Sequence, residues 1–175
     1  MPFNELEITS KSSKDSVIDK VRQNLQQMNL SVVGEDIQRP WGGFWLIDEE
    51  QKEKFLRTFF PDLLENNELQ EAKLSPKILL VAPQKRLSWQ VHKRRAEHWV
   101  VEFGPVGAML SETDEQPETP TIYQTGERIF IPKETRHRLI GLDNWGIVAE
   151  VWQHTNPENP STEEDIRRVQ DDFGR

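Results

Sequence analysis

Apolar residues near the start of the chain recur at helical spacing, with charged and amide side chains between them. These apolar residues are Val17, Ile18, Val21, Leu25 and Met28. The period predicts one amphipathic α-helix over residues 13–28, of about four turns. Ser12 or Ser13 would be its N-cap. We expect the apolar face of this helix to pack against the elements that follow it.

The next part of the chain predicts a strand and then a charged, helical segment. Residues 44–47 are apolar and follow Arg39-Pro40-Trp41-Gly42, which is typical of a turn entering a strand. Residues 49–75 carry two short helical patterns, and Pro61 ends the first of them.

From Pro76 onwards the pattern changes to short strands separated by turns. The predicted strands are 77–81, 87–92, 97–103, 106–110, 122–123, 128–131, 137–142 and 146–153. Residues 112–120 carry four carboxylates and no base, which predicts a solvated loop. Because no βαβ rhythm is present, the pattern favours an antiparallel sandwich or barrel. Residues 163–172 predict a final helical turn or two.

Composition narrows the class of protein. The 175 residues suit one domain, and 30 acidic against 22 basic residues give a net charge of −8, which disfavours a nucleic-acid-binding surface. No apolar run approaches the roughly 20 residues of a membrane span, and the first residues lack the layout of a signal peptide. The absence of cysteine excludes disulfides and thiolate metal sites. We expect a soluble, cytoplasmic protein that does not interact with membranes.

Two of the four histidines, together with nearby Gln90 and Glu97, form a candidate metal-binding set. Gln90 and His92 share one face of a strand, because side chains alternate along it. An irregularity at 93–96 would return Glu97 or His98 to the same interior, where His137 would face them from another strand. Such nitrogen and oxygen donors suit Zn²⁺, Mn²⁺, Fe²⁺ or Ni²⁺. The alternative is that the histidines are hydrogen-bonded core residues and that Glu97 lies on the surface.

Basic residues cluster around both histidine segments. Lys93, Arg94 and Arg95 follow His92, and Arg136 and Arg138 flank His137. Guanidinium groups match phosphate oxygens, so the cluster favours a phosphorylated ligand. The alternative is ordinary solvated charge at strand ends.

Several segments resemble a known family. Residues 87–99, LSWQVHKRRAEHW, are similar to the LS-x-Q-x-H-x-H-R-A-E-H-W motif of the cupin domain of type II phosphomannose isomerases, which is often fused to a mannose-1-phosphate guanylyltransferase. Gly126, five residues, Pro132 and then His137 resemble the second cupin motif, with Glu134 in place of its glycine. Residues 39–42, 150–153 and 165–175 are similar to other parts of the same domain.

The resemblance implies a mainly β fold: a cupin barrel, which is a jelly-roll-like double-stranded β-helix, with an N-terminal amphipathic helix and short accessory helices. It divides the chain into an N-terminal extension, 1–38, and a cupin domain, 39–175, with an insertion at about 50–75. Arg94 stands where the family has its second histidine, which leaves Gln90, His92, Glu97 and His137 as the implied ligands, with His98 as the alternate. Zn²⁺ is the first expectation, with Mn²⁺, Fe²⁺, Ni²⁺ or Co²⁺ as alternatives.

The implied activity is a metal-dependent aldose–ketose isomerisation that converts mannose 6-phosphate to fructose 6-phosphate. Arg95 would contact the phosphate or the developing oxyanion, with Arg138 and Arg175 as further substrate-binding candidates. Glu150 and His98 are the candidate bases. Alternatives are a cupin that binds a sugar phosphate or sugar nucleotide without turnover, and an isomerase of another sugar phosphate such as a heptose phosphate.

The resemblance also implies a homodimer, because small cupins of this type commonly exchange edge strands. Residues 31–33, Ser-Val-Val, would be the exchanging segment.

Overall fold

The computed structural model describes residues 2–174, and in that part of the chain the strands form a six-stranded and a five-stranded antiparallel sheet. The strands are β1 (Val32–Asp36), β2 (Gly42–Ile47), β3 (Leu74–Val81), β4 (Trp89–Val91), β5 (Arg95–Phe103), β6 (Val106–Ser111), β7 (Thr121–Tyr123), β8 (Arg128–Ile131), β9 (Arg136–Gly141), β10 (Gly146–His154) and β11 (Arg167–Gln170). The first sheet has the order β1-β2-β3-β10-β5-β8, and the second has the order β11-β4-β9-β6-β7. The two sheets face each other in an arrangement compatible with a jelly roll, and over residues 2–174 their strands do not join into one closed ring.

The predicted helices cover one face of the six-stranded sheet. They are α1 (Lys14–Gln27), α2 (Lys52–Phe59) and α3 (Asn67–Glu71), with 3-10 turns at Glu49–Gln51 and Pro61–Glu65. Ser13 is the N-cap of α1, and its side chain accepts a hydrogen bond from the Ser16 amide. We call the apolar layer between these helices and the sheet the outer layer. It includes Val21 and Leu25 of α1, Phe55 of α2 and the outward side chains of β3, β5 and β10.

The other face of the six-stranded sheet meets the five-stranded sheet. We call the side chains between the two sheets the inner layer. Its apolar part contains Phe44, Leu79, Val101, Leu139 and Val148, each on a different strand. Along β5, odd-numbered residues such as Trp99 and Val101 belong to the inner layer, while Val100 belongs to the outer layer. Strand alternation therefore divides one strand between two cores.

The prediction of a helical turn at 163–172 was wrong. Residues 167–170 form β11, which pairs antiparallel with β4 and sets Arg168 opposite Gln90. Because β4 would otherwise be an edge strand, pairing with β11 gives the backbone groups of both segments hydrogen-bond partners that a short polar helix would not supply.

Two further differences concern the start of the sheet. Strand β3 begins at Leu74 and runs through Pro76, so the proline lies inside the strand rather than before it. Residues 32–36 form β1, which pairs with β2, so the N-terminal extension contributes an edge strand. No helix in residues 2–174 is long and apolar enough to cross a membrane.

Candidate metal site

Three strands and one turn bring polar side chains together at one end of the inner layer. Glu97 and Trp99 project inward from β5, and His137 projects inward from β9. Gln90 on β4 is paired in register with His137. His92 follows β4 at the start of the turn that leads into β5. Both histidines and Glu97 are almost fully buried.

His92, Glu97 and His137 form a compact set of potential ligands. Nε2 of His92 lies 3.4 Å from Oε1 of Glu97, and Nε2 of His137 lies 3.3 Å from Oε2. The three donor atoms all lie within 4.8 Å of one another. Two imidazoles and one carboxylate converging in this way are typical of a divalent-metal centre in a protein without cysteine.

The second nitrogen of each ring supports this interpretation. Nδ1 of His92 lies 2.5 Å from the backbone oxygen of Asp165, and Nδ1 of His137 lies 3.0 Å from the backbone oxygen of Thr135. Because a carbonyl oxygen only accepts hydrogen bonds, each Nδ1 carries a proton, which leaves Nε2 as the ring nitrogen that can bind a metal. This is the tautomer that metal coordination through Nε2 requires. The residues present therefore fit a divalent ion.

Gln90 lies beside these rings with its amide nitrogen towards them. Its Nε2 is 3.3 Å from Nε2 of His92 and 3.5 Å from Nε2 of His137, while Ser88 donates to its Oε1 at 2.7 Å. Coordination through the amide oxygen would need the amide group to turn over, which exchanges its oxygen and nitrogen.

Arg95 is buried inside the same cluster. Its Nε donates to Glu97 Oε1 at 2.7 Å, and its Nη2 lies 3.0 Å from Nε2 of His92. Its Nη1 donates to Ser161 Oγ and to the backbone oxygen of Thr162. A metal ion on His92 would displace the Nη2 hydrogen bond. The guanidinium is thus committed to neighbouring protein groups on every side.

The charges of the cluster follow from burial and from these neighbours. Burial lowers the pKa of His92 to about 3, so the ring is neutral at pH 7. Burial alone would raise the pKa of Glu97, but His137 and Arg95 beside it hold that pKa well below its usual value. The site therefore presents a carboxylate and a neutral imidazole, the protonation states in which these groups bind metals.

Glu150 and Trp99 continue the polar region away from the histidines. The Trp99 indole N–H lies 2.9 Å from Glu150 Oε1 and 3.2 Å from Glu97 Oε2, so it contacts both carboxylates. Burial, and then the negative charge of Glu97, raise the pKa of Glu150 to about 8. Glu150 is directly opposite Lys77 of β3 on one side and Trp99 on the other.

The segment after β10 closes over the site. The Asp165 carboxylate accepts hydrogen bonds from the Lys93 and Arg94 amides and from Ser161 Oγ. The sequence analysis did not single out Ser161. It included Asp165 only within residues 165–175, which resemble the end of the family's domain, and that resemblance was the one signal for this residue. It also missed Lys77, whose signal was a single lysine in an apolar strand.

Other predicted site residues lie elsewhere. His98 points to the opposite face of β5 from Glu97, where it contacts Gln153 and the Phe130 ring. Arg138 is buried on the opposite face of β9 from His137 and donates to the Leu87 and Gln170 backbone oxygens. Arg94 donates to Asn159, away from the histidines. Arg175 lies outside the described residues.

Comparison with protein families finds one match that covers more than half of the chain. The family model described as "Mannose-6-phosphate isomerase C-terminal" matches residues 63–171. No curated protein matches the chain by sequence.

Solved structures support the fold. The capsular polysaccharide assembling protein CapF from Staphylococcus aureus superposes with a TM-score of 0.53 at 12% identity, over 81% of this chain and 34% of CapF. Vicilin from Corylus avellana (hazelnut) gives 0.53 at 15% identity, over 80% of this chain and 36% of vicilin. The chain thus spans about a third of the length of either structure. These neighbours are cupins, and the predicted cupin fold is confirmed.

Proposed function

Because this chain belongs to the family of mannose-6-phosphate isomerase C-terminal cupin domains, we propose that it is a metal-dependent aldose–ketose isomerase of a sugar phosphate. The proposed reaction converts mannose 6-phosphate to fructose 6-phosphate. The observation that supports it most is the convergence of Nε2 of His92 and Nε2 of His137 on the Glu97 carboxylate. We infer a cytoplasmic location, as expected for an enzyme of phosphorylated sugars.

In this proposal His92, Glu97 and His137 hold the metal, with Gln90 as a fourth ligand. Zn²⁺ is the ion we favour, because imidazole and carboxylate suit it, and Mn²⁺, Fe²⁺, Ni²⁺ and Co²⁺ suit the same donors. Such an ion supplies a Lewis acid next to the oxygens of the substrate. The backbone oxygens of Asp165 and Thr135 fix the orientation of the two rings.

The isomerisation also needs a group that takes a proton from one carbon and returns it to the next. Glu150 is suited to this role, because its buried carboxyl lies beside Glu97 in the same cleft and is held by the Trp99 indole. Trp152 adds an aromatic face, with the Arg95 guanidinium carbon 3.4 Å from its ring centre. Removal of the carboxyl in Glu150→Gln would abolish proton transfer while leaving the metal ligands in place.

A second candidate function is binding of a sugar phosphate or sugar nucleotide without turnover. Two observations favour it: Arg94 stands in place of the family's second histidine, and Arg95 donates towards the His92 lone pair. The first leaves one potential metal ligand fewer, and the second occupies the His92 nitrogen that a metal would bind. Isomerisation of another sugar phosphate, such as a heptose phosphate, is a variant of the first proposal with the same metal requirement.

The test is a coupled assay of fructose 6-phosphate formation from mannose 6-phosphate. The full chain is stripped of metal and reloaded with Zn²⁺, Mn²⁺ or Co²⁺, and bound metal is measured in parallel. We expect turnover only with metal, and a loss of at least about 10³-fold in His92→Ala, since a Lewis acid contributes several kcal/mol to such reactions.

His98→Ala is the matched control, because His98 lies on the same strand as Glu97 but on its opposite face. Activity lost equally in both variants would contradict the proposed site. Folded, metal-loaded protein without turnover on mannose 6-phosphate, but active on a second sugar phosphate, would reassign the substrate. Ligand binding without turnover on any sugar phosphate would favour the binding function.

The homodimer stays a prediction. Strand β1 is at the edge of the six-stranded sheet, and its Val32 and Val33 side chains are 40% and 64% exposed. Edge strands with exposed apolar side chains tend to pair with another chain. Sedimentation velocity of the wild-type chain and of Val33→Lys would check it, and a wild-type chain that sediments as a folded monomer would contradict it.

A further inference from the structure

Lys77 is a buried cation in the cleft that contains the candidate metal site. It projects inward from β3, and its side chain is 5% exposed. Its Nζ lies 3.9 Å from the centre of the Trp152 ring and 4.6 Å from the centre of the Phe44 ring. Two aromatic faces thus hold the ammonium group in a defined place, although such faces replace only part of the hydration that a lysine loses on burial.

The carboxylate that pairs with Lys77 belongs to the surface. Glu163 accepts a hydrogen bond from Lys77 Nζ, and its side chain is 55% exposed. It lies in the segment between β10 and β11, which has no regular secondary structure. A half-exposed carboxylate on such a segment leaves its partner at little cost, because water solvates it again at once. Lys77, in contrast, cannot move to solvent without leaving both aromatic rings.

Lys77 is also placed for one end of an extended ligand. Across three neighbouring strands the inward residues are Lys77, Glu150 and Trp99, in register. Neighbouring strands are about 4.8 Å apart, so the backbone of Lys77 lies about 10 Å from that of β5, which carries Glu97. A hexose phosphate has its carbonyl at one end and its phosphate at the other. From β5 towards β3 the cleft therefore presents the metal ligands, then Glu150, then Lys77. This order matches the carbonyl, the reacting carbons and the phosphate of such a ligand.

Besides Lys77, the cleft is lined by Arg39, Arg95 and Arg168, and Arg39 pairs with Asp36. Arg95, and Arg138 outside the cleft, are less suited to this task. Arg95 directs its donors to Glu97, His92, Ser161 and Thr162. Arg138, on the opposite face of β9 from His137, donates to backbone and glutamine oxygens. Lys77 has three donors, and Glu163 is the acceptor at the open side of the cleft.

We propose that Lys77 binds the anionic group of the ligand. In the ligand-free protein the Glu163 carboxylate occupies the place of that anion and so competes with it. The identity of that anion as a sugar phosphate rests on the proposed function. Phosphate would take over the contact with Lys77, and the Glu163 carboxylate would move into solvent. No bond is made or broken in this exchange.

The test measures phosphate binding without turnover. Inorganic phosphate is titrated calorimetrically into the full chain, loaded with Zn²⁺ and again after chelation, so that binding to the metal is separated from binding to the protein. Glu163→Gln removes the competitor, and we expect it to tighten phosphate binding about tenfold, as when a competing state that is about nine-tenths populated is removed. Glu164→Gln, an exposed neighbour, is the matched control and should leave the affinity unchanged.

Lys77→Met retains the length of the side chain and removes its charge, and we expect it to weaken phosphate binding at least about tenfold. The same order of affinities should hold for fructose 6-phosphate, while fructose itself should not respond to Glu163→Gln. The inference is overturned if Glu163→Gln binds phosphate no more tightly than wild type, or if a folded Lys77→Met binds it equally well. Because Glu163→Gln keeps the buried lysine, it gives an answer even where Lys77→Met fails to fold.

Failure of this inference is distinct from failure of the proposed function. Turnover of mannose 6-phosphate with phosphate binding unaffected by Glu163→Gln would overturn only the role of Lys77 and Glu163. Tighter phosphate binding in Glu163→Gln without turnover of any sugar phosphate would support the anion site and contradict the isomerase.

Discussion

The inner and outer layers lie on the two faces of the same sheet, and each contains a buried carboxylate from β5. Glu97 faces the inner layer, where Arg95, His92 and His137 surround it, and its pKa is held well below the usual value. Glu102 faces the outer layer, and within residues 2–174 its two oxygens have no hydrogen-bond partner. Burial raises the pKa of Glu102 to about 7.

The comparison of Glu97 with Glu102 separates the effect of burial on a carboxyl pKa from the effect of the neighbouring side chains. Both carboxylates are on β5 and are at most 2% exposed, so they are buried to nearly the same depth. The difference is that four nitrogen-bearing side chains converge on Glu97 and none bonds Glu102 among the described residues. The neighbours of Glu97 therefore keep a buried carboxylate ionised, whereas Glu102, which lacks such neighbours, has a raised pKa. Glu150 of the inner layer also has a raised pKa, because burial and the negative charge of Glu97 both act on it.

The largest expected effect comes from removing the charge of Glu97. In Glu97→Gln the Arg95 guanidinium keeps its buried position but loses its anionic partner, which should lower the free energy of unfolding by about 3–5 kcal/mol. Denaturant unfolding of the metal-free chain measures this loss. Glu115→Gln, in the exposed loop, is the control. An unchanged stability would mean that Arg95 does not depend on Glu97, and the contrast between the layers would be lost.

A purely apolar deletion in the outer layer should lower stability without touching the site. Leu25 of α1 is 1% exposed, and Leu25→Ala should lower the free energy of unfolding by about 3 kcal/mol. Because α1 packs on the face of the sheet opposite the histidines, Zn²⁺ affinity of the folded protein should not change. Gln23→Ala, on the exposed side of the same helix, is the control. A coupled loss of Zn²⁺ affinity would show that the two layers are not independent.

The smallest effect concerns Glu102, and its sign depends on pH. The pKa of Glu102 is about 7 in the folded chain against a usual value of 4.5, so ionisation destabilises the fold. The penalty is absent below pH 4.5, grows between pH 4.5 and 7 and is constant above pH 7. Glu102→Met should therefore raise the free energy of unfolding by about 1–3 kcal/mol more at pH 8 than at pH 4.5.

Urea unfolding of wild type and Glu102→Met across this pH range is the measurement. Glu118→Met, in the exposed loop, should show no such pH dependence. A difference between wild type and Glu102→Met that does not vary with pH would contradict the raised pKa and would indicate that Glu102 has a charged partner.

Much of the architecture was predictable from local pattern. The helical period of 13–28 determined α1 and the face that it buries, and the two-residue period determined most strands of both sheets. The same period was enough to place Gln90 and His92, two residues apart, towards the other candidate ligands, and the resemblance at 87–99 pointed to the cupin family that the family model matches.

The contacts of residues 163–172 depend on the tertiary structure. Residues 163–172 have no apolar period that distinguishes a strand from a helical turn, and β11 forms because β4 offers it a free edge. Likewise, the contact between Asp165 and His92 joins residues that are 73 positions apart in the sequence, and the contact between Glu163 and Lys77 joins residues that are 86 positions apart. Local sequence determines which face a side chain takes, but which groups meet across such distances is decided by how the sheets and the closing segment pack.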